Sequence, residues 1–134
     1  MTTPYSPAKG TPLGRVRGLG SARHGAGHWW RQRVTAFGNL FLILWLIMSL
    51  LRLPDLGYET TRAWMQSPLV AVPLLLIVAN TFWHFKLGLQ VVIEDYQHDE
   101  ARIIALALLH IWTFGAGGLA LFSILKIAFT GTPS

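Results

Sequence analysis

The sequence predicts an all-α membrane protein with three transmembrane helices. Three observations carry this expectation. Hydrophobic residues make up 52% of the 134 positions and charged residues 13%, whereas soluble domains carry about 25% charged residues. Too little polar surface remains to cover a water-soluble globule. The apolar residues are gathered into three long runs, and each can cross a hydrocarbon core of about 30 Å. The charge is also lopsided: Lys9, Arg15, Arg17, Arg23, Arg31 and Arg33 precede the first run, and no acidic residue occurs before Asp55. Cysteine is absent, which excludes disulfides, iron–sulfur ligation and thiolate metal sites.

Residues 1–27 are rich in Gly, Pro, Ser and Thr and lack a hydrophobic period. They read as a basic, flexible tail, and 28–129 as the membrane domain. A secretory signal peptide is not expected, because the first apolar run begins late and no small-residue cleavage site follows it. A transit peptide suits the Arg-rich, acid-free composition, but the glycines and prolines oppose an amphipathic targeting helix.

His28-Trp29-Trp30-Arg31-Gln32-Arg33 pairs aromatic rings with cations, a combination suited to lipid headgroups. The first span is expected over about 34–51, closed by Arg52 and Pro54. Residues 52–66 form a connection whose charges cancel, and Ser67-Pro68 offers a helix start. The second span, about 69–93, has Pro73 in its first turns and is the polar one, with Asn80, His84, Lys86 and Gln90. Residues 94–100 make a short charged connection. The third span, about 103–127, holds Gly115-Ala-Gly-Gly118, and Ala116 and Ala120 lie four apart, which lets a neighbouring helix approach closely. The basic bias puts the N-terminus on the cytoplasmic (or matrix) side.

His84 stands about 15 Å below the charged end of its run, near mid-membrane. An ionisable residue there is a candidate functional group. Three readings stay open: a neutral histidine hydrogen-bonded to another helix, an axial ligand to haem iron, and a member of a proton relay with Asp95 and His110. Gly88, one turn on, leaves room for a flat macrocycle on the His84 face. Asp95 follows His84 by three turns and nearly shares its face, and Tyr96 stands beside it. A tyrosine hydroxyl at the interface suits a quinone carbonyl, while an aromatic-belt tyrosine beside a solvated aspartate is the plainer alternative. Lys86 turns away from His84 and can snorkel to the near interface. His110 lacks a glycine one turn on and reads as a core histidine; His24, His28 and His98 read as solvated. Arg33 can pair with a haem propionate or a lipid phosphate. No nucleophile with a paired base is evident, and three spans make a nucleic-acid partner a poor reading of the basic tail.

The motif His84-x3-Gly88-x-Gln90-x4-Asp95-Tyr96 resembles that of the small hydrophobic membrane anchor of succinate dehydrogenase, respiratory complex II. The lead-in from Gly18 to Ala36, with His28, Trp29, Trp30 and Arg33, looks like that of alphaproteobacterial and mitochondrial-type members. The resemblance implies a non-catalytic subunit with no dehydrogenase site of its own, its three transmembrane helices part of a multi-subunit helical bundle in a bacterial or mitochondrial inner membrane. His84 would ligate haem b, with the second histidine from a partner cytochrome b subunit. Arg33 would lie near the haem propionates, Tyr96 would hydrogen-bond ubiquinone, and Asp95 would support that site. Iron–sulfur and flavoprotein subunits would oxidise succinate. A fumarate reductase anchor and a small three-span proton-relay or transport subunit are the alternatives.

Overall fold

Helix α1 spans Gly25–Leu50 in the computed structural model, which describes residues 25–130 of the chain. It starts well before the expected span at residue 34, so Trp29, Trp30, Arg31 and Arg33 stand on its first turns. A helix satisfies its own backbone, so nothing obliges it to stop where hydrocarbon gives way to headgroups. Residues 1–24, with the expected tail and the targeting question, lie outside the described residues. The end of α1 tightens through Arg52 N–H to Ser49 O (3.3 Å) and Leu53 N–H to Leu50 O (3.1 Å), just ahead of Pro54.

A short helix, α2 (Tyr58–Gln66), follows where the sequence suggested only a connection. Asp55 Oδ1 accepts the Gly57 N–H at 2.7 Å, an Asx-type turn that sets the entry to α2. The helix is tied at two points: Trp64 Nε1 donates to Ser49 Oγ of α1 at 3.0 Å, and Gln66 Nε2 donates to Thr130 O at 2.8 Å. It therefore latches the ends of two long helices together.

Helix α3 (Pro68–Tyr96) begins at the expected proline. Ser67 makes no side-chain cap, but its carbonyl accepts the Val70 and Ala71 N–H groups at 2.9 and 2.8 Å. Helix α4 spans Asp99–Phe129. Only Gln97 and His98 separate the two, so most of the charged connection at 94–100 is helical. Asp99 takes φ 53°, a left-handed conformation that Asp tolerates better than most residues, and this reverses the chain. With 29 and 31 residues, α3 and α4 reach about 44 and 46 Å at 1.5 Å per residue. Helices α1, α3 and α4 are each long and apolar enough to cross a membrane. No strand occurs among the described residues.

Helix α3 lies in the middle, packed on one side against α1 and on the other against α4, and those two do not touch each other. The buried side chains sit on α3 (Val70, Ala71, Leu87) and α4 (Leu109, Thr113, Ile124). No large side chain is fully buried among the described residues, and Phe37, Phe41, Leu44, Ile103, Ile111 and Phe122 are exposed. An open fan of this kind has no closed core. Its apolar surface requires lipid or further helices as solvent.

The close approach of α3 and α4 occurs at Gly117, where an added Cβ would lie 3.3 Å from Phe82 Cγ. Ala116 and Ala120, whose spacing would admit a neighbouring helix, are half-buried in this chain alone. Around Gly117, Trp112 packs on Phe82 and Phe85 with ring centroids 5.4 and 5.2 Å apart. Lys86, expected to reach for the interface, instead places Nζ 4.8 Å from the Trp83 ring and 5.6 Å from that of Phe114. The quadrupoles of two aromatic faces substitute for water around its charge.

Candidate functional site

The seam between α1 and α3 is polar in the middle of apolar sequence. Thr35 and Asn39 stand one turn apart on α1, and Asn80 and His84 one turn apart on α3. The two helices are antiparallel, so these pairs meet. Asn80 Nδ2 donates to Thr35 O and to Asn39 Oδ1, both at 2.8 Å, and Thr81 Oγ1 donates to Asn39 Oδ1 at 3.1 Å. Thr35 Oγ1 lies 2.9 Å from His84 Nδ1. Thr35 also contacts two carbonyls of its own helix, Arg31 O at 2.8 Å and Gln32 O at 3.1 Å. The seam fixes the rotation of α3 about its axis and with it the depth and direction of His84.

Beyond His84 the seam opens into a groove of about 930 Å³, lined by His28, Arg31, Gln32, Arg33, His84, Gly88, Gln90 and Glu94 among others. Gly88 has the Gln32 amide opposite it, 3.3 Å from where a Cβ would be. Two buried atoms in this region, His28 Nε2 and Gln32 Oε1, have no hydrogen-bond partner among the described residues. Unpaired polar atoms inside a protein cost on the order of 1–3 kcal/mol each, so the groove has room for polar contact that the described residues do not themselves supply. The arginines at its mouth favour an anion: Arg33 holds its guanidinium 5.2 Å from the Trp29 ring, and Arg31 Nε donates to Gly27 O at 3.1 Å. At the other edge Gln90 Nε2 donates to Glu94 Oε1 at 2.8 Å.

The residues singled out in the sequence separate into two groups. His84, Gly88 and Arg33 come together in the groove. Asp95 and Tyr96 stand past its edge at the end of α3, both exposed, Tyr96 at 77%. His28, expected in solvent, is half-buried in the groove, because α1 begins early enough to carry it against α3. His98 is exposed beside the turn. His110 stays on its own helix, Nδ1 at 2.7 Å from Leu106 O, while His84 turns to α1, so the two histidines and Asp95 do not form one chain of contacts. Thr35, Gln32 and His28 were not readable as site residues. The available signal was the matched one-turn spacing of polar residues in the first two apolar runs.

The donor set suits one face of a haem. A single imidazole, a glycine one turn along, and arginines and a histidine at the groove mouth supply a ligand, a flat landing area and anion contacts. Gln32 would have to swing off Gly88, and its unpaired Oε1 means that no bond to that atom is lost. Among the described residues no group of three His, Asp or Glu side chains could hold a metal ion.

Comparisons with known proteins agree with one another. The succinate dehydrogenase/fumarate reductase transmembrane subunit family matches over residues 7–125. The chain is 34% identical to the succinate dehydrogenase hydrophobic membrane anchor subunit of Rickettsia bellii over 112 residues, covering 81% of this chain and 90% of the relative. The subunit of the same name from Rickettsia conorii is 34% identical over 113 residues, with the same coverage. That of Paracoccus denitrificans is 26% identical over 117 residues, covering 87% of this chain and 91% of the relative. No solved structure gives a significant match.

Proposed function

The chain belongs to the succinate dehydrogenase/fumarate reductase transmembrane subunit family, and from that premise we propose that it is the hydrophobic membrane anchor of a succinate:quinone oxidoreductase. In this reading it helps bind haem b and forms part of the ubiquinone reduction site. Its work joins the tricarboxylic acid cycle to electron transport, and dehydrogenation itself belongs to flavoprotein and iron–sulfur subunits. A second membrane cytochrome b subunit completes the bundle. The membrane is the bacterial (or mitochondrial) inner membrane, with the N-terminus on the cytoplasmic or matrix side, as the six basic residues before the first span favour.

The observation that carries this reading is His84 in an open groove with Gly88 beside it and Arg31 and Arg33 at the mouth. Haem b, when bound, supplies a one-electron redox centre inside the bilayer. His84 would hold the iron through its ring lone pair. Arg33, with Arg31, would neutralise propionate charge where the groove reaches the headgroup level. The exposed apolar faces of α1 and α4, which do not meet, are where the partner subunit packs.

Quinone reduction requires protons at the membrane boundary. Tyr96, at the charged end of α3, donates its hydroxyl hydrogen bond to a quinone carbonyl oxygen. That contact favours charge developing on the oxygen as electrons arrive. Asp95, exposed to water next to it, takes protons from solvent and hands them to the reduced oxygen. The family includes fumarate reductases, which run the same path in the opposite direction; quinone potential and partner subunits decide between them.

The test uses the complex purified in mild detergent, with and without His84→Ala. The parent complex is expected to contain the flavoprotein, iron–sulfur and cytochrome b subunits and a low-spin haem with two histidine ligands. His84→Ala is expected to lose the two-histidine signature. An unchanged spectrum would remove His84 as the ligand.

A further inference from the structure

We infer that Thr35 is a positioning residue for His84: its hydroxyl oxygen accepts the Nδ1–H proton, which fixes the ring tautomer and leaves Nε2 as the ligating nitrogen. The inference rests on the reading of His84 as a haem ligand and adds the group that orients it.

Proton bookkeeping carries the assignment. The Thr35 hydroxyl has one proton and three neighbours at hydrogen-bond distance: Arg31 O, Gln32 O and His84 Nδ1. Carbonyl oxygens can only accept. If the hydroxyl donated to His84, both carbonyls would face its lone pairs with no proton between. The low-energy arrangement shares the hydroxyl proton with the carbonyls, so the histidine must supply its own. Nδ1 therefore carries the hydrogen, and Nε2, which makes no hydrogen bond among the described residues, keeps the lone pair.

His110 provides a comparison within the same molecule. It stands in an apolar helix like His84, and its Nδ1 is bonded to the carbonyl one turn back, Leu106 O. His84 has the same option in Asn80 O, yet its Nδ1 reaches across to Thr35. The clasp explains why. Asn80 holds Thr35 O and Asn39 Oδ1, so one segment of α1 is gripped at two points and the hydroxyl stays opposite the ring. The β-branched threonine, bonded back to its own helix, has little rotamer freedom. Partners on the far nitrogen of a metal-ligating histidine commonly change metal affinity about 10–100-fold when removed.

Thr35→Val keeps the shape and removes the acceptor; Thr35→Ser keeps the acceptor. In the whole complex, Thr35→Val is expected to lose haem to apomyoglobin about tenfold faster than the parent, with shifted low-spin g-values in the electron paramagnetic resonance spectrum. Thr35→Ser is expected to match the parent in both. Should Thr35→Val fail to assemble, Thr35→Ala against Thr35→Ser makes the same comparison. Acceptor-free variants identical to Thr35→Ser in haem loss and g-values would overturn the role of Thr35, provided that His84→Ala loses the two-histidine signature. If His84→Ala retains that signature, the ligand reading itself falls, and the assignment of Thr35 with it.

Discussion

A Cβ placed on Gly38 would lie 2.9 Å from Nδ2 of Asn80, the atom that donates to both Thr35 O and Asn39 Oδ1. The glycine on α1 is thus what allows the central amide of α3 to reach its two acceptors. Gly38→Ala forces Asn80 aside, and overpacking of this kind costs about 1–3 kcal/mol. Asn80→Ala loses only interhelical hydrogen bonds, which average about 0.6 kcal/mol in membranes. The expected order of thermal midpoints in detergent is parent, Asn80→Ala, then Gly38→Ala. Adding Asn80→Ala to Gly38→Ala should recover stability, because the obstructed side chain is gone.

The glycines of α4 should divide by face. A Cβ on Gly117 meets Phe82 at 3.3 Å, while Gly115 and Gly118 have nothing within 4 Å. Gly117→Leu should push α4 away from α3 and lower the yield of folded complex. Gly115→Ala and Gly118→Ala should leave this chain's own packing intact. If either lowers recovery of the cytochrome b subunit while this chain remains in the membrane, a partner helix lies against that face.

Gly88 tests the groove in a different way. The atom opposite it is the end of the Gln32 side chain, which can swing aside, so Gly88→Leu should be tolerated by the α1–α3 pair. A macrocycle lying on that face would not tolerate it. The expected result is an assembled complex with reduced haem content, read from the ratio of b-type absorbance to flavin. Full haem content in Gly88→Leu would show that haem does not lie against this face.

Tyr96 and Asp95 are exposed at the end of α3 and make no hydrogen bond that holds the fold together among the described residues. Surface substitutions of this type usually change stability by less than about 0.5 kcal/mol. Tyr96→Phe should therefore lower quinone reduction at least several-fold while succinate oxidation with an artificial acceptor continues. Asp95→Asn should do the same with a weaker effect. Parallel loss of both activities would point to assembly instead of quinone chemistry.

Much of the fold was readable because hydrophobic runs and charge bias are additive properties of the chain. Three apolar stretches, the Ser67-Pro68 start and the stop before Pro54 follow from transfer free energies and from proline's missing N–H, which need no knowledge of neighbours. The limits of the helices were less readable. Polar ends such as Gly25–Arg33 and Glu94–Tyr96 continue as helix because backbone hydrogen bonding, not side-chain polarity, decides where a helix stops. Helix α2 was missed for a related reason: its nine residues are amphipathic, and a helix this short forms only against the ends of α1 and α4 that Trp64 and Gln66 bind.

The sequence by itself determined that a histidine stands deep in an apolar helix with a glycine one turn on, and that an Asp-Tyr pair closes the same helix. Only the tertiary structure decided what touches that histidine. Thr35 lies 49 positions away, and its pairing with His84 depends on how far α1 slides along α3. That register is set by the fit of Gly38 to Asn80 and of Asn80 to Asn39. A shift of one helical turn would keep every helix and every apolar face and would place a different side chain on Nδ1. Periodicity names the face of a helix, but the partner across the seam is chosen by packing between two helices.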